Sequence, residues 1–275
     1  MATPPRHRTV RFDYPDDLQP GWHSTLPEFA CAANAVSLMM PYLEPYVVRA
    51  MREALPHLEG DLEVEARAYI AQESQHHAQH RRFNRAIERS VRGVTRLEQV
   101  LDATYRWLWR SRSERFHLAY AAAAEAGAYG AARWVERHHA ELFRGADSTV
   151  ASLYLWHLAE EVEHKNVAYD VYDARYGSRW PLAGAMVVSI ALLMVFAVAG
   201  TTLGLVHERR LFHPVATARL LRWSLGFVFS ELPNMFASVL PGHHPSDFSD
   251  PTWFGLYLLD VEAGRTPVSP VRGAA

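Results

Sequence analysis

Apolar residues recur at helical spacing through the first two thirds of the chain. Between residues 26 and 173, Ala, Leu, Glu and Arg dominate, and no long stretch alternates apolar and polar positions as a strand does. Pro41 and Pro45 predict a break or kink in the first helix. The pattern as a whole predicts helices at about 27–56, 61–92, 96–109, 113–142 and 149–174.

The pattern changes after residue 180. Residues 181–206 form a run of 26 positions without a charge, which is long enough to cross a bilayer as a helix. A weaker apolar stretch follows at 215–240 and is interrupted by charged residues. Three interpretations of 181–206 stay open: a membrane span, a helix lying in the membrane surface, and a helix buried in the protein.

These patterns predict an all-α protein with four parts. We expect an N-terminal arm at 1–25, a four-helix bundle at 26–176, a hydrophobic helical segment at 177–240 and an extended tail at 241–275. The arm lacks the apolar run of a secretion signal and is expected to be mobile or draped over the surface. The expected location is cytoplasmic, with a membrane-associated or single-span protein as the alternative.

Composition narrows the classes of function. Hydrophobic residues make up 49% of the chain and charged residues 21%, which excludes a disordered or collagen-like chain. The net charge of -2 offers no basic excess for nucleic acid. Cys31 is the single cysteine, so no intramolecular disulfide can form. Histidine is unusually frequent, with 15 residues, and several lie one helical turn from a glutamate.

Two Glu-x-x-His elements stand out, each preceded by another glutamate in a predicted helix. They are Glu73 with His76 and Glu161 with His164, and the preceding glutamates are Glu44 and Glu125. Residues three apart share a helix face. The preceding glutamates lie 29 and 36 residues upstream, and two antiparallel helices with a short loop bring residues at such separations to one height. The sequence therefore predicts two similar hairpins whose polar residues meet.

Four glutamates and two histidines form the ligand set of a dimetal-carboxylate helix bundle. Oxygen and imidazole donors suit iron or manganese better than a thiolate site would, so two iron ions are predicted, with manganese or zinc as alternatives. The competing interpretation is a solvated helix face with minor ion pairs. Glu125 argues against it, because its neighbours at 121–128 are small and mostly apolar.

Four further residues are candidates for supporting roles. His80 and His157 lie one turn from His76 and Glu161, so each could be an extra ligand or a hydrogen-bonding neighbour of the ligands. His77 is rotated by about 100° from His76 and fits a neighbouring or structural role better. Glu160 competes with Glu161, because it lies four residues from His164 on a shared face, but Glu161 is preferred because it repeats the spacing of Glu73 and His76.

The chain resembles a bacterial family described as predicted metal-dependent hydrolases. The motifs that carry the resemblance are Met40-Pro41-Tyr42-Leu43-Glu44, Gln72-Glu73-x-x-His76, Trp156-His157-x-x-Glu160-Glu161-x-Glu163-His164-Lys165 and Pro241-Gly242-His243-His244-Pro245. It covers residues from about 20 to 255. The resemblance implies a metal site at the six predicted ligands, in a ferritin-like arrangement.

Three functions are compatible with the predicted metal site. The first is an O2-activating diiron oxidoreductase of the hydroxylase or desaturase type, which acts on a small lipophilic substrate and needs an external electron donor. The second is a hydrolase that uses a metal-activated water, as the family description says. The third is a non-catalytic metal-binding or storage protein. Association with a membrane or into a homodimer stays open, and nucleic acid is not an expected partner.

Overall fold

The computed structural model describes residues 5, 6 and 8–263, and these form an all-α protein. No strand occurs in this part of the chain, although an isolated bridge pairs His23 with Ala146. The helices are α1 (Pro27–Ala54), α2 (Gly60–Ser90), α3 (Val94–Ser111), α4 (Glu114–Phe143), α5 (Ser148–His164), α6 (Val167–Arg175), α7 (Arg179–His207), α8 (Pro214–Ala237) and α9 (Thr252–Glu262). The predicted all-α class is therefore confirmed.

Helix α1 continues through both of its internal prolines, so the predicted break is wrong. Proline has no backbone N–H, and the carbonyl four residues earlier loses its helical partner. Asn84 Nδ2 donates to the carbonyl of Ser37 at 2.9 Å, and Arg81 donates to the carbonyl of Pro41 at 3.3 Å. Side chains of α2 thus satisfy the two carbonyls that Pro41 and Pro45 leave free, and the helix needs no break.

Four helices that carry predicted ligands pack on one another. Helix α1 contacts α2 and α4, α4 contacts α5, and α2 contacts α5. The predicted helix at 149–174 is interrupted, because α5 ends at His164 and α6 begins at Val167. Asp147 caps the start of α5 by accepting from the N–H groups of Thr149 and Val150, which satisfies two of its free donors.

The two ends of the described chain are more ordered than the sequence indicates. The arm before α1 lies along α2, where Gln79 donates to the carbonyl of Val10 and Phe12 is buried. The predicted extended tail contains α9, which packs on α5. Trp253 and Tyr257, one turn apart, bury their rings against the protein, and this apolar stripe explains the helix. Residues 264–275 lie outside the described residues.

Helix α7 contains the uncharged run and packs against α1 and α4. It is the one helix in the described part of the chain that is long and apolar enough to cross a membrane. Only 28% of its most apolar stretch of 18 residues is buried in the protein. A core helix of a soluble protein can have the same composition. The opposite face is exposed, and its apolar side chains include Trp180, Val187, Met194, Val195, Val198 and Val206.

Two glycines set the distance between α7 and α1. A Cβ atom at Gly200 would lie 2.7 Å from the Cβ of Ala35, whereas one at Gly184 would meet nothing within 4 Å. We expect Gly200→Ala to be less stable than Gly184→Ala by about 1–3 kcal/mol, the usual cost of overpacking. Helix propensity affects both variants alike. Urea unfolding of the two proteins measures the difference, and equal midpoints and slopes would contradict this close packing.

Candidate metal centre

The six predicted ligands are buried together where α1, α2, α4 and α5 meet. Their donor atoms, with one from His157, form two groups in which all atoms lie within 4.8 Å of one another. One group contains Glu44, His76 and His157. The other contains Glu73, Glu125, Glu161 and His164. Each group offers enough donors for one metal ion, so the packing of the helices creates two adjacent candidate positions.

Glu161 connects the two groups. Its Oε1 lies 2.7 Å from Nε2 of His157, and its Oε2 lies 3.1 Å from Nε2 of His164. The Nδ1 atom of His76 lies 3.6 Å from Oε1 of the same carboxylate. A carboxylate that faces both groups with different oxygens is placed to bridge two ions, as glutamates do in dimetal helix bundles.

A chain of hydrogen bonds orients the ring of His164. Gln72 donates from Nε2 to Glu163 at 2.8 Å, so its Oε1 is the acceptor that faces Nδ1 of His164 at 3.1 Å. Arg8 in turn donates to both carboxylate oxygens of Glu163. The Nε2 atom of His164 is thereby directed at three carboxylates at 3.1–3.2 Å, those of Glu73, Glu125 and Glu161. Such partners fix the ring orientation of a metal-binding histidine.

Glu160 orients His76. Its Oε2 accepts from Nε2 of His76 at 3.1 Å, and this leaves Nδ1 facing Glu73 at 3.3 Å. The two adjacent glutamates of α5 therefore occupy different places: Glu161 faces both ligand groups, and Glu160 lies behind the imidazole. The sequence favoured Glu161 as the ligand because its spacing to His164 repeats that of Glu73 to His76, although Glu160 also shares a helix face with His164.

Burial and close charged neighbours shift the pKa values of the acidic and basic side chains in the centre. Burial, followed by the charges of Glu73, Glu161 and Glu125, raises the pKa of Glu44 well above its ordinary value of 4.5. Burial and Glu161 raise the pKa of Glu125 to about 8. Burial alone would lower the pKa of His76, but the carboxylates of Glu73 and Glu160 outweigh it and raise the value to about 10. The carboxylates therefore need cations close by, either protons or metal ions.

Unpaired polar atoms test whether metal ions fit. Five ligand atoms of the centre are buried and have no hydrogen-bond partner among the described residues. They are both oxygens of Glu44, Oε1 of Glu73, Oε2 of Glu125 and Nδ1 of His76. Leaving such atoms unsatisfied costs about 1–3 kcal/mol each, and more when they are charged. Divalent cations would satisfy these ligand atoms. Two such cations would also neutralise the negative charges of the four carboxylates. The residues present thus fit two metal ions.

Aromatic rings close the centre on two sides. Trp156 packs edge-on against His76 with ring centroids 4.9 Å apart, and Tyr69 packs in the same way against His164 at 4.8 Å. The hydroxyl of Tyr69 also donates to Oε1 of Glu125 at 2.7 Å. These rings exclude bulk water from the ligands, which strengthens electrostatic interactions among them.

Residues 6–248 match the family model described as predicted metal-dependent hydrolase. The chain belongs to this family. The matched region includes every candidate ligand, so membership supports a metal-dependent enzyme. No curated protein and no solved structure matches the chain, and the ferritin-like description of its bundle therefore stays a prediction.

Within this member of the family, most predicted supporting residues lie near the centre. His157 belongs to a ligand group, and His80 contacts His157 at 2.6 Å. His77 lies outside both groups and bonds the backbone oxygen of Glu73 at 3.0 Å. Sequence reasoning assigned no role to six polar residues around the ligands, although two of them, Gln72 and Glu163, lie within the motifs that carry the family resemblance. The six are Arg8, Ser37, Tyr69, Gln72, Asn84 and Glu163. Helical spacing offered a signal for two of them, because Gln72 lies four residues before His76 and Asn84 four residues after His80.

Proposed function

We propose that this chain is a dinuclear metal-dependent hydrolase. The observation that carries the proposal is the pair of adjacent ligand groups joined by Glu161, one of which combines a single carboxylate with two imidazoles. One glutamate and two histidines are the protein ligands of well-known hydrolytic zinc sites, in which the remaining position takes water. The family description favours this reaction class over the oxidoreductase expected from the sequence.

The roles of the residues follow from their positions. Glu44, His76 and His157 would bind one ion, and Glu73, Glu125, Glu161 and His164 the other, with Glu161 shared. When bound, a pair of divalent ions lowers the pKa of a bound water and stabilises a developing oxyanion. Glu160 and Gln72 orient the two imidazoles, and the rings of Trp156 and Tyr69 exclude bulk water. Zinc, manganese and iron all accept these oxygen and nitrogen ligands.

The apolar helix α7 supports a small lipophilic substrate. Its run of 26 uncharged residues, 181–206, packs against α1 and α4, two of the helices that carry the ligands. Several apolar side chains of this helix are exposed, including Val187, Met194 and Val195. Exposed apolar surface of this kind is typical of faces that contact a membrane or an apolar ligand. The lipophilic substrate expected from the sequence is therefore retained in the proposal.

The second candidate is the O2-activating oxidoreductase. The group of Glu73, Glu125, Glu161 and His164 favours it, because three carboxylates and one imidazole form an oxygen-rich, fully buried donor set. Such donors suit iron and manganese. This function would require an external electron donor and O2, so the two candidates differ in the reagents that they need.

Reconstitution of the chelator-treated protein distinguishes the two. We expect zinc or manganese, added without O2, to restore hydrolysis of small lipophilic esters, amides or phosphoesters. Turnover that requires iron, O2 and a reductant together would replace the hydrolase with the oxidoreductase. Metal binding without either reaction would favour the storage protein. Glu98→Gln, at a half-buried carboxylate that accepts from Tyr42, is the matched control and should keep full activity.

A further inference from the structure

A buried chain of polar side chains leads from α1 to the metal centre. Asn84, Ser37, His80 and His157 follow one another with contacts of 2.6–2.7 Å. All four residues are buried. Only His157 belongs to a ligand group among the described residues, so the role of the other three in the chemistry is unassigned.

The contact between Asn84 and the backbone of Ser37 determines which group donates in each of these hydrogen bonds. The carbonyl of Ser37 can only accept, so the atom of Asn84 that contacts it at 2.9 Å must be the amide nitrogen. The amide oxygen of Asn84 then faces the hydroxyl of Ser37 at 2.6 Å. Because an amide oxygen has no hydrogen to give, the hydroxyl of Ser37 must donate to it. The carbonyl is available because Pro41, four residues later, lacks the N–H that would bond it.

This direction determines which nitrogen of each imidazole bears a hydrogen. Since the hydroxyl of Ser37 donates to Asn84, its oxygen accepts from Nδ1 of His80 at 2.7 Å. A neutral His80 then has no hydrogen on Nε2, and this atom accepts from Nδ1 of His157 at 2.6 Å. The Nε2 atom of a neutral His157 is left with a lone pair, directed toward the centre.

Two acceptors face each other at the end of the chain. Nε2 of His157 lies 2.7 Å from Oε1 of Glu161 and 3.6 Å from Oε1 of Glu44. A lone pair and a carboxylate oxygen at this distance repel unless a cation lies between them. We propose that His157 is a third histidine ligand, binding metal through Nε2, and that Asn84, Ser37 and His80 are positioning residues that keep it in the required tautomer.

This inference deepens the proposed function and rests on its metal site. It makes the two positions chemically unequal: one has two imidazoles and one carboxylate, and the other has one imidazole and three carboxylates. Borderline ions such as zinc bind imidazole well, whereas hard ions favour carboxylates. We therefore expect the first ion in a zinc titration to bind in the position that contains His157.

Zinc titration of the chelator-treated protein, followed by elemental analysis, tests the ligand. The parent should bind about two ions per chain, and His157→Ala should keep one. His80→Leu should weaken the affinity for one of the two ions by about 10–100-fold, as the loss of a ligand's hydrogen-bonding partner does. His80→Gln should recover most of this affinity, because its amide oxygen can accept from Nδ1 of His157. His77→Leu is the control and should bind like the parent.

Nitrogen-15 NMR of the histidines in the zinc-loaded protein supplies a readout independent of activity. We expect hydrogens on Nδ1 of both His80 and His157, and none on Nε2 of His157. A hydrogen on Nε2 of His157, or two ions bound equally tightly in His157→Ala, overturns the inference and removes His157 from the ligands of the proposed function. A parent that still binds two ions and hydrolyses a substrate would keep the dinuclear hydrolase itself. If the parent itself binds no zinc, manganese or iron, the proposed function fails as well, and the two failures are thus distinguished.

Discussion

Replacement of Glu73 and Glu161 together by alanine is expected to abolish metal binding, whereas the parent retains about two ions per chain. Glu161 faces both ligand groups with different oxygens, and Glu73 lies 3.2 Å from His164 and 3.3 Å from His76. Removing the two carboxylates takes two oxygen ligands from one position and the bridge from both. Loss of single supporting contacts already weakens metal binding by about 10–100-fold, so loss of the ligands themselves should remove it.

Elemental analysis of protein purified without chelator measures this effect. Circular dichroism should establish that the double variant is helical, and Glu98→Gln should contain as much metal as the parent. A folded double variant that retains two ions would place the metal elsewhere. A folded parent without metal would mean that the buried carboxylates form a structural polar cluster, and the proposed function would then be wrong.

Glu44→Gln is expected to stabilise the metal-free protein and to remove most of the stabilisation that metal provides. Neither oxygen of Glu44 has a hydrogen-bond partner in the described part of the chain, and its pKa is raised by burial and by the neighbouring carboxylates. The amide is neutral at every pH and can donate to those carboxylates. The gain in the metal-free state should be about 1–3 kcal/mol, the usual cost of an unsatisfied buried polar group.

The effect of this variant should depend on pH in one direction. The pKa of Glu44 in the folded chain lies above its unfolded value, so its contribution to stability is complete below pH 4.5 and is lost as the pH rises through the folded value. The advantage of Glu44→Gln should therefore be larger at about pH 9 than at about pH 6. Thermal unfolding of metal-free protein measures it, and an advantage that grows toward low pH would contradict the assignment.

Metal should raise the unfolding temperature of the parent protein strongly. Ligand at about 1,000 times its dissociation constant stabilises the folded state by roughly 4 kcal/mol, which corresponds to about 8–16 °C in a protein of this size. Glu44→Gln should show less than half of this shift. The same thermal scans, run with and without zinc, compare the two proteins. An equal shift in both would exclude Glu44 from the ligands.

The ligand positions follow from the sequence to the extent that helix geometry determines them. Spacings of three residues put Glu73 beside His76 and Glu161 beside His164, and the separations to Glu44 and Glu125 suit antiparallel helices. These relations need only the helical period and short loops. Spacing favoured Glu161 over Glu160 only by analogy with Glu73 and His76, because the place of each carboxylate depends on how α5 is rotated against α2, which is a tertiary property.

The parts that the sequence did not reveal depend on contacts between distant segments. Pro41 by itself predicts a break in α1, and the break is avoided because Asn84 on α2 binds the carbonyl that the proline leaves free. The arm contains no recognisable motif, yet Arg8 binds Glu163 across 155 residues. No local pattern encodes such pairings, since each partner is an ordinary polar residue until the helices meet.

The close contact of α7 with α1 limits which sequences could replace the uncharged run. Gly200 lies against Ala35, and Gly204, one turn later, lies against Cys31. A generic apolar segment of equal length, with leucine or valine at these two positions, would push α1 outward, and α1 carries Glu44. The run is therefore not interchangeable with an arbitrary hydrophobic helix. Its shape, as much as its hydropathy, is tied to the geometry of the carboxylate on the neighbouring helix.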